Sequence, residues 1–116
     1  MITRFLNYGI DFPFFFAPMV GLSHVATRQL IRSYCPTGIN PLLFTEMLST
    51  RRLPCEKLGS SLMLSIAENE KYFIPQILGN EEKYIAPSLQ RLMDVNPWGI
   101  DINMGCPVSH TLKHNW

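Results

Sequence analysis

Apolar residues are concentrated in four short runs along the chain, and a turn-forming or polar residue stands at or near the end of each run. The runs cover residues 14–17, 42–48, 72–78 and 99–103. A short apolar run without polar alternation, such as the first, is typical of a strand that is buried on both faces of a parallel sheet. We therefore predict four strands at these positions.

Two segments between the runs carry apolar residues at helical spacing. The first follows Ser23, a favourable N-cap residue, and its helix should end near Cys35 because Pro36 cannot continue it. The apolar positions of this helix are Ala26, Leu30, Ile31 and Tyr34. The second covers residues 81–95, where Pro87 predicts either a kink or a later start.

The order of these elements predicts the fold class. Residues 51–71 show no clear period, and we expect a loop there with a short helical piece at residues 61–67. Elsewhere strands alternate with helices, which favours βαβ units and a parallel sheet. The predicted class is therefore α/β.

Composition limits the function classes only loosely. Hydrophobic residues make up 47% of the chain and charged residues 16%, as in a globular domain. The net charge of +1 neither indicates nor excludes a nucleic-acid partner. The three cysteines have no C-x-x-C spacing, so we predict no disulfide framework and a reducing, cytoplasmic compartment. We also predict no signal peptide and no membrane-spanning segment.

Polar or turn-forming residues stand at the predicted strand ends, and we expect them to share one site. The carboxyl ends of parallel strands lie at one edge of a sheet, where α/β folds gather functional groups. Gln76, in an apolar strand, is either a core amide satisfied by the backbone or a donor and acceptor for the edge of a flat heterocycle. Glu46 is either a solvated strand-end carboxylate or a residue that orients neighbouring loops.

Cys106 gives the sharpest chemical signal. Most single cysteines are small, inert apolar residues, but this one follows a strand directly in a Gly-Cys-Pro turn. A thiol there can act as a general acid or base at a carbon centre, because ordinary thiols titrate near enough to neutrality. Cys106, His110 and His114 are also spaced four apart, as metal ligands on a helix can be. Because no fourth ligand is recognisable, we predict no metal site.

Four segments, in their order and separation, resemble the tRNA-dihydrouridine synthase family. They are "APMVGLSHVATRQLIRSY", "LLFTEML", "IPQILGNEEKY" and "GIDINMGCPV". The resemblance runs from about Phe15 to Lys113, and Asn-Met-Gly-Cys-Pro is its most specific part. It implies that residues 1–116 are the N-terminal half of an FMN-binding (β/α)8 TIM barrel, truncated after the fourth strand. The rest of the barrel and a helical tRNA-binding domain would be absent, and we expect the chain to be inactive alone.

The resemblance also implies a reaction, the reduction of uridine in tRNA to 5,6-dihydrouridine. NADPH reduces FMN, the flavin passes a hydride to C6 of the uracil, and a cysteine protonates C5. By position, the residues implied to hold FMN are Pro18, Met19, Val20 and Gln76, the first three through their backbone and the last through a bond to the flavin ring. Asn103 would help to position the uracil, and Cys106 would be the general acid.

Two other interpretations stay open at this point. An FMN-dependent barrel of the dihydropyrimidine or dihydroorotate dehydrogenase kind shares the Asn-x-x-Cys-Pro arrangement and acts on free pyrimidines. Met104-Gly105 and the segment Thr45-Glu46-Met47 favour the tRNA enzyme instead. The chain could also be a non-catalytic relic, or a half-barrel that associates with a second copy through exposed sheet edges.

Overall fold

The computed structural model describes residues 14–57 and 61–107. Within these ranges four parallel strands form one sheet in the order β1-β2-β3-β4. The strands are β1 (Phe15–Phe16), β2 (Leu42–Ser49), β3 (Phe73–Leu78) and β4 (Asp101–Ile102). Helix α1 (Val25–Tyr34) connects β1 to β2, and helix α2 (Glu82–Met93) connects β3 to β4. This order confirms the predicted α/β class and matches the first half of a (β/α)8 barrel.

The two central strands carry the buried core. Every residue of β3 is buried, and β2 is buried along most of its length. One apolar cluster consists of Leu48, Leu53, Leu64, Ile77 and Leu92, and a smaller one of Leu42, Tyr72 and Ile74. Full burial of each such side chain contributes about 1.5–3 kcal/mol before chain entropy is counted. The apolar runs of the second and third strands therefore predicted their burial correctly.

Strand β1 is shorter and more exposed than its apolar run predicts. Phe14 is 67% exposed and Phe15 is 46% exposed, so the prediction of burial on both faces was wrong for this strand. Within the described residues β1 pairs only with β2, where Phe15 lies beside Leu42. Burial on both faces needs a packed layer on each side, and the composition of a run does not show whether neighbours supply it.

Helix α1 ends as predicted but begins differently. Cys35 caps its C-terminus. The N-cap residue is His24, whose side chain makes no capping hydrogen bond, so the assignment of Ser23 as N-cap was wrong. Ser23 lies one residue earlier and is fully buried. Its hydroxyl bonds to the backbone of the preceding turn, which withdraws it from the helix terminus.

The buried side of α1 is built around a charged residue. Leu30 and Tyr34, on the expected apolar face, are 57% and 83% exposed, whereas Arg28 is fully buried. The Arg28 guanidinium contacts both carboxylate oxygens of Glu70, at 2.5 and 3.1 Å, and lies 4.9 Å from the centre of the Phe73 ring. It also donates to the carbonyl oxygens of Ser23 and Ser65. An ion pair therefore anchors this helix.

Two further expectations need correction. Helix α2 runs without interruption from Glu82 and contains Pro87, so a later start was wrong. The proline has no N–H for the carbonyl four residues earlier, and its own side chain is exposed. The short helical piece expected at residues 61–67 was also wrong: residues 62–64 form a turn and residues 65–67 have no regular structure, and a 3-10 turn lies at Leu53–Cys55 instead. Turn geometry there depends on packing against the sheet, which the local sequence does not encode.

Candidate functional site

A cleft of about 240 Å³ opens at the carboxyl edge of the sheet. Its lining residues are Pro18, Val20, Met47, Gln76, Asn103, Gly105, Cys106 and Pro107. They come from all four strands or from the segments that follow them. The sheet topology thus brings together residues that are far apart in the sequence, as expected for one edge of a parallel sheet.

The turn after β1 forms one wall of the cleft and is closed by its own hydrogen bonds. The Ser23 hydroxyl accepts a bond from the Met19 N–H at 2.7 Å and donates to the Ala17 carbonyl at 3.1 Å. The Met19 carbonyl accepts bonds from the N–H groups of Leu22 and Ser23. Both polar backbone groups of Met19 are therefore engaged within the turn.

This arrangement separates the three residues predicted along the first wall. Pro18 and Val20 line the cleft, whereas Met19 lies between them and is not one of the lining residues. Gly21 follows with φ of 75°, a left-handed conformation that glycine adopts without steric cost. The turn consequently brings Pro18 and Val20 to the cleft, while the polar backbone groups of Met19 bond within the turn.

A β-bulge in β2 shapes the next wall. Phe44 pairs with Ile74, and Met47 pairs with Gln76, so β2 contains one more residue than β3 over this interval. The Thr45 hydroxyl accepts a hydrogen bond from the Gln76 N–H at 3.0 Å and donates to the Glu46 carbonyl at 2.6 Å. A side chain thus replaces part of the interrupted ladder. Bulges of this kind re-aim neighbouring side chains and often lie beside active sites.

The burial of Glu46 and its hydrogen bond decide between the two interpretations of this residue. This side chain is not solvated: the residue is only 5% exposed. One of its carboxylate oxygens accepts a hydrogen bond from the Gly21 N–H at 2.8 Å. Glu46 therefore orients the turn after β1 and does not itself line the cleft.

A line of polar side chains crosses the floor of the cleft. The Gln76 amide nitrogen donates to an Asp101 carboxylate oxygen at 2.5 Å, and its carbonyl oxygen accepts a bond from the Asn103 amide nitrogen at 3.1 Å. The Asn103 carbonyl oxygen accepts a bond from the Gly105 N–H, also at 3.1 Å. Gln76 is buried, and a buried amide needs hydrogen-bond partners. Its partners in this line are side chains and not backbone groups.

The two amides keep bonding capacity for a ligand. A primary amide carries two N–H hydrogens and two carbonyl lone pairs. Within this line Gln76 and Asn103 each donate one hydrogen bond and accept one. Each side chain therefore retains a donor and an acceptor, and both residues line the cleft.

Cys106 stands at the end of this line. It is half-buried, lines the cleft and directly follows Gly105, whose N–H is held by Asn103. All three cysteines lie within the described residues, and they form no disulfide. A thiol on the cleft wall is placed to exchange a proton with a bound molecule.

The expectations about metal and membrane can be compared only with the residues that the structure describes. His110 and His114 lie outside the described residues, so their spacing from Cys106 has no structural counterpart. Residues 14–57 and 61–107 contain no group of three or more His, Cys, Asp or Glu side chains that could hold a metal ion. In the same ranges no helix is long and apolar enough to cross a membrane.

Thr45 was expected at this edge of the sheet together with Glu46, and its hydroxyl completes the bulge. Two contributors to the site were missed in the sequence: Met47 lines the cleft, and Asp101 holds Gln76. The signal for Asp101 was available, because it is an acidic residue in an apolar run two positions before Asn103, and alternate residues share a strand face. The bulge had no such signal, since it depends on the register between two strands.

Comparisons with known proteins agree on one family. A family model described as dihydrouridine synthase (Dus) matches residues 15–116. A probable tRNA-dihydrouridine synthase of Treponema pallidum (strain Nichols) is 30% identical over 100 residues, which cover 85% of this chain and 28% of that protein. A probable tRNA-dihydrouridine synthase of Helicobacter pylori (strain ATCC 700392 / 26695) is 29% identical over 103 residues, covering 86% and 30% of the two chains.

A third relative adds to this comparison. The probable tRNA-dihydrouridine synthase 1 of Synechocystis sp. (strain ATCC 27184 / PCC 6803 / Kazusa) is 28% identical over 97 residues, covering 84% of this chain and 26% of that protein. No solved structure matches the chain. The chain spans less than a third of the length of these three relatives. Because the family model matches nearly the whole chain, the chain belongs to the dihydrouridine synthase family.

Proposed function

We propose that this chain supplies part of the active site of an FMN- and NADPH-dependent tRNA-dihydrouridine synthase. One observation carries the proposal: Cys106 lines the same cleft as the amides of Gln76 and Asn103, in a member of the dihydrouridine synthase family. A proton donor and two amides on one cleft provide what the reduction of a flat pyrimidine ring needs from the protein.

The lining of the cleft fits the flavin ring chemically. Pro18, Val20 and Met47 offer apolar surface, and Gln76 keeps a donor and an acceptor for the edge of a heterocycle. Met19 would help to hold the flavin by fixing the turn that carries Pro18 and Val20, because its polar backbone groups are already bonded within that turn. Bound FMN, reduced by NADPH, would supply the hydride that reaches C6 of the uracil.

The small size of the cleft supports the proposal that further walls complete the site. Pockets that enclose small molecules typically measure about 300–1,000 Å³, and this cleft measures about 240 Å³. The exposed side chains of Phe14 and Ile102, at opposite ends of the sheet, also offer uncovered apolar surface. We propose that other barrel strands cover this surface, contributed by the same polypeptide or by a second copy of the chain.

Two side chains would act directly on the uracil. Asn103 would hold the ring with its remaining donor and acceptor, and Cys106 would donate its thiol proton to C5 as C6 accepts the hydride. The C5–C6 double bond thereby gains one hydride and one proton, and the thiolate recovers a proton from solvent. A positioned general acid contributes about 10²–10⁴-fold to such a step.

The proposed substrate is a uridine within tRNA. A base inside folded RNA must be unstacked before its ring can enter a cleft, and unstacking costs a few kcal/mol. The complete protein therefore needs contacts to the RNA outside this cleft. Since the substrate is tRNA, we propose that the protein acts in the cytoplasm.

The test uses the full-length protein with FMN, NADPH and an unmodified tRNA transcript. We expect dihydrouridine among the nucleosides of the digested tRNA by mass spectrometry, and no reduction of free uracil or oxidation of dihydroorotate. Turnover of a free pyrimidine without tRNA would instead support the dehydrogenase interpretation. A flavin-loaded protein that turns over neither substrate would support a non-catalytic relic.

A further inference from the structure

We propose that Asp101 is a positioning residue that fixes the orientation of the Gln76 and Asn103 amides and, through Gly105, the position of Cys106. It holds Gln76, which lines the cleft, and is not itself one of the lining residues. Where the proposal concerns a bound flavin or uracil ring, it rests on the proposed function. The arrangement of the protein groups stands on the geometry alone.

The first step is the contact between two neighbouring strands. Asp101 and Gln76 are register partners in β4 and β3, so the sheet itself places their side chains together. A carboxylate offers only acceptors. The nitrogen of the Gln76 amide must therefore face Asp101, and the bond that it donates to the carboxylate is charge-assisted.

The orientation of the Gln76 amide sets the orientation of the next side chain in the line. With its nitrogen toward Asp101, Gln76 presents its oxygen to the Asn103 amide nitrogen. Asn103 in turn presents its oxygen to the Gly105 N–H, a group that can only donate. The line is thus fixed by an acceptor at one end and by a donor at the other. Turning either amide over would set donor against donor and acceptor against acceptor.

The fixed line determines what the cleft offers to a ligand. The spare donor and acceptor of each amide point in directions set by the bonds already made, so a ring meets one hydrogen-bonding pattern and not two. The bond to Gly105 also restrains the Met104–Gly105 peptide, one residue before Cys106. Asp101 therefore acts on a bound ring through Gln76 and on the thiol through Asn103.

The experiment compares Asp101→Ala and Asp101→Asn in the full-length protein. Alanine removes the acceptor, whereas asparagine keeps one oxygen that can accept the Gln76 bond. Asp94→Ala is the matched control, because Asp94 is an exposed aspartate paired with Arg91 at the end of α2. None of these changes adds a bulky side chain.

The first measurement needs neither flavin nor tRNA. Iodoacetamide labelling of Cys106 is followed by peptide mass spectrometry, with the exposed Cys55 as internal reference. We expect Asp101→Ala to raise the relative labelling rate of Cys106 roughly two- to tenfold, the range that corresponds to losing one ordinary hydrogen bond. Asp101→Asn should return most of the way to the wild-type ratio, and Asp94→Ala should leave it unchanged.

The second measurement is FMN affinity from flavin fluorescence. Asp101→Ala should weaken binding about tenfold or more, because a charge-assisted bond that orients Gln76 is lost. Asp101→Asn should weaken binding less. A purely structural role would instead lower stability while leaving the affinity and the labelling ratio of the folded protein at wild-type values.

A double variant keeps the proposal testable if Asp101→Ala does not fold. Asp101→Asn combined with Gln76→Glu exchanges amide and carboxylate, so the contact and the bond to Asn103 are retained while the spare donor of residue 76 is lost. We expect wild-type Cys106 labelling but weakened FMN binding.

The proposal would be overturned if Asp101→Ala keeps the wild-type labelling ratio and the wild-type FMN affinity. If Asp101→Ala does not fold, a labelling ratio of the double variant that differs from wild type would overturn it. A wild-type protein that binds no FMN would count against the proposed function, while the labelling ratios still decide the role of Asp101.

Discussion

The Glu46 carboxylate accepts a hydrogen bond from the backbone N–H of Gly21 at 2.8 Å, although 25 positions separate the two residues in the sequence. The bond joins the bulge of β2 to the turn that carries Pro18 and Val20 into the cleft. Neither partner lines the cleft itself. The position of this wall therefore depends on a partly buried bond behind it.

Replacing Glu46 tests that dependence. Glu46→Ala should lower the free energy of unfolding by about 1–3 kcal/mol, because it removes the buried carboxylate that accepts the partly buried bond from Gly21. Glu46→Gln keeps an acceptor oxygen and should cost less. Urea denaturation measures both, with the exposed Glu68→Ala as control. Equal stabilities for Glu46→Ala and Glu68→Ala would show that the bond does not hold the turn.

The buried ion pair of α1 should be among the most sensitive points of the fold. Arg28→Met leaves the Glu70 carboxylate buried without its partner, so we expect a loss of about 3–5 kcal/mol in the free energy of unfolding. Arg52→Met is the matched control, since the Arg52–Glu56 pair is exposed and surface pairs contribute about 0–1 kcal/mol. Denaturant titration compares the two. Similar losses in both variants would contradict an anchoring role for Arg28.

Gly79 is required by the close approach of the Thr50 side chain. A Cβ atom there would lie 1.9 Å from the Thr50 hydroxyl oxygen, and φ at this residue is 157°. Gly79→Ala should therefore destabilise the protein by about 1–3 kcal/mol through overpacking. Gly99→Ala, where a Cβ would meet no atom within 4 Å, should change stability by less than about 0.5 kcal/mol. Thermal unfolding measures the two variants, and equal melting temperatures would refute the prediction.

A surface cluster predicts a pH dependence of stability. The hydrogen bond from Lys83, followed by that from Arg51, holds the pKa of Glu81 below its ordinary value of 4.5. A lowered folded-state pKa gives stabilisation that is complete above 4.5 and is lost as the pH falls through the folded pKa. Glu81→Gln should thus be slightly less stable near neutral pH and converge with wild type in acid. A stability difference that persists unchanged in acid would argue against this cluster.

Local patterns predicted the parts of the fold that local forces decide. The burial of β2 and β3 followed from apolar runs, and α2 followed from helical spacing apart from the start at Glu82. Gln76 and Cys106 reach one cleft because parallel strands end at one edge, which needs only the element order. These features could be derived before any coordinates were known.

The remaining features depend on partners that are distant in the sequence. Arg28 is buried because Glu70, 42 residues away, neutralises it, and the sequence does not show that pairing. The bulge at Thr45 and Glu46 depends on the register with β3. Ser23 is not the N-cap residue because its hydroxyl bonds to backbone groups of the turn before the helix. Tertiary contacts thus decided each of these cases against the local pattern.

The central claim is that Cys106 donates a proton to a uracil ring in tRNA. Its most direct test is the rate of dihydrouridine formation by the full-length protein carrying Cys106→Ala, with Cys55→Ala as the matched control. FMN content, read from flavin absorbance, verifies that each variant is loaded.

We expect Cys106→Ala to form dihydrouridine about 10²–10⁴-fold more slowly than wild type, because a positioned general acid is lost, while Cys55→Ala keeps the wild-type rate. A Cys106→Ala protein that forms dihydrouridine at the wild-type rate would contradict the account.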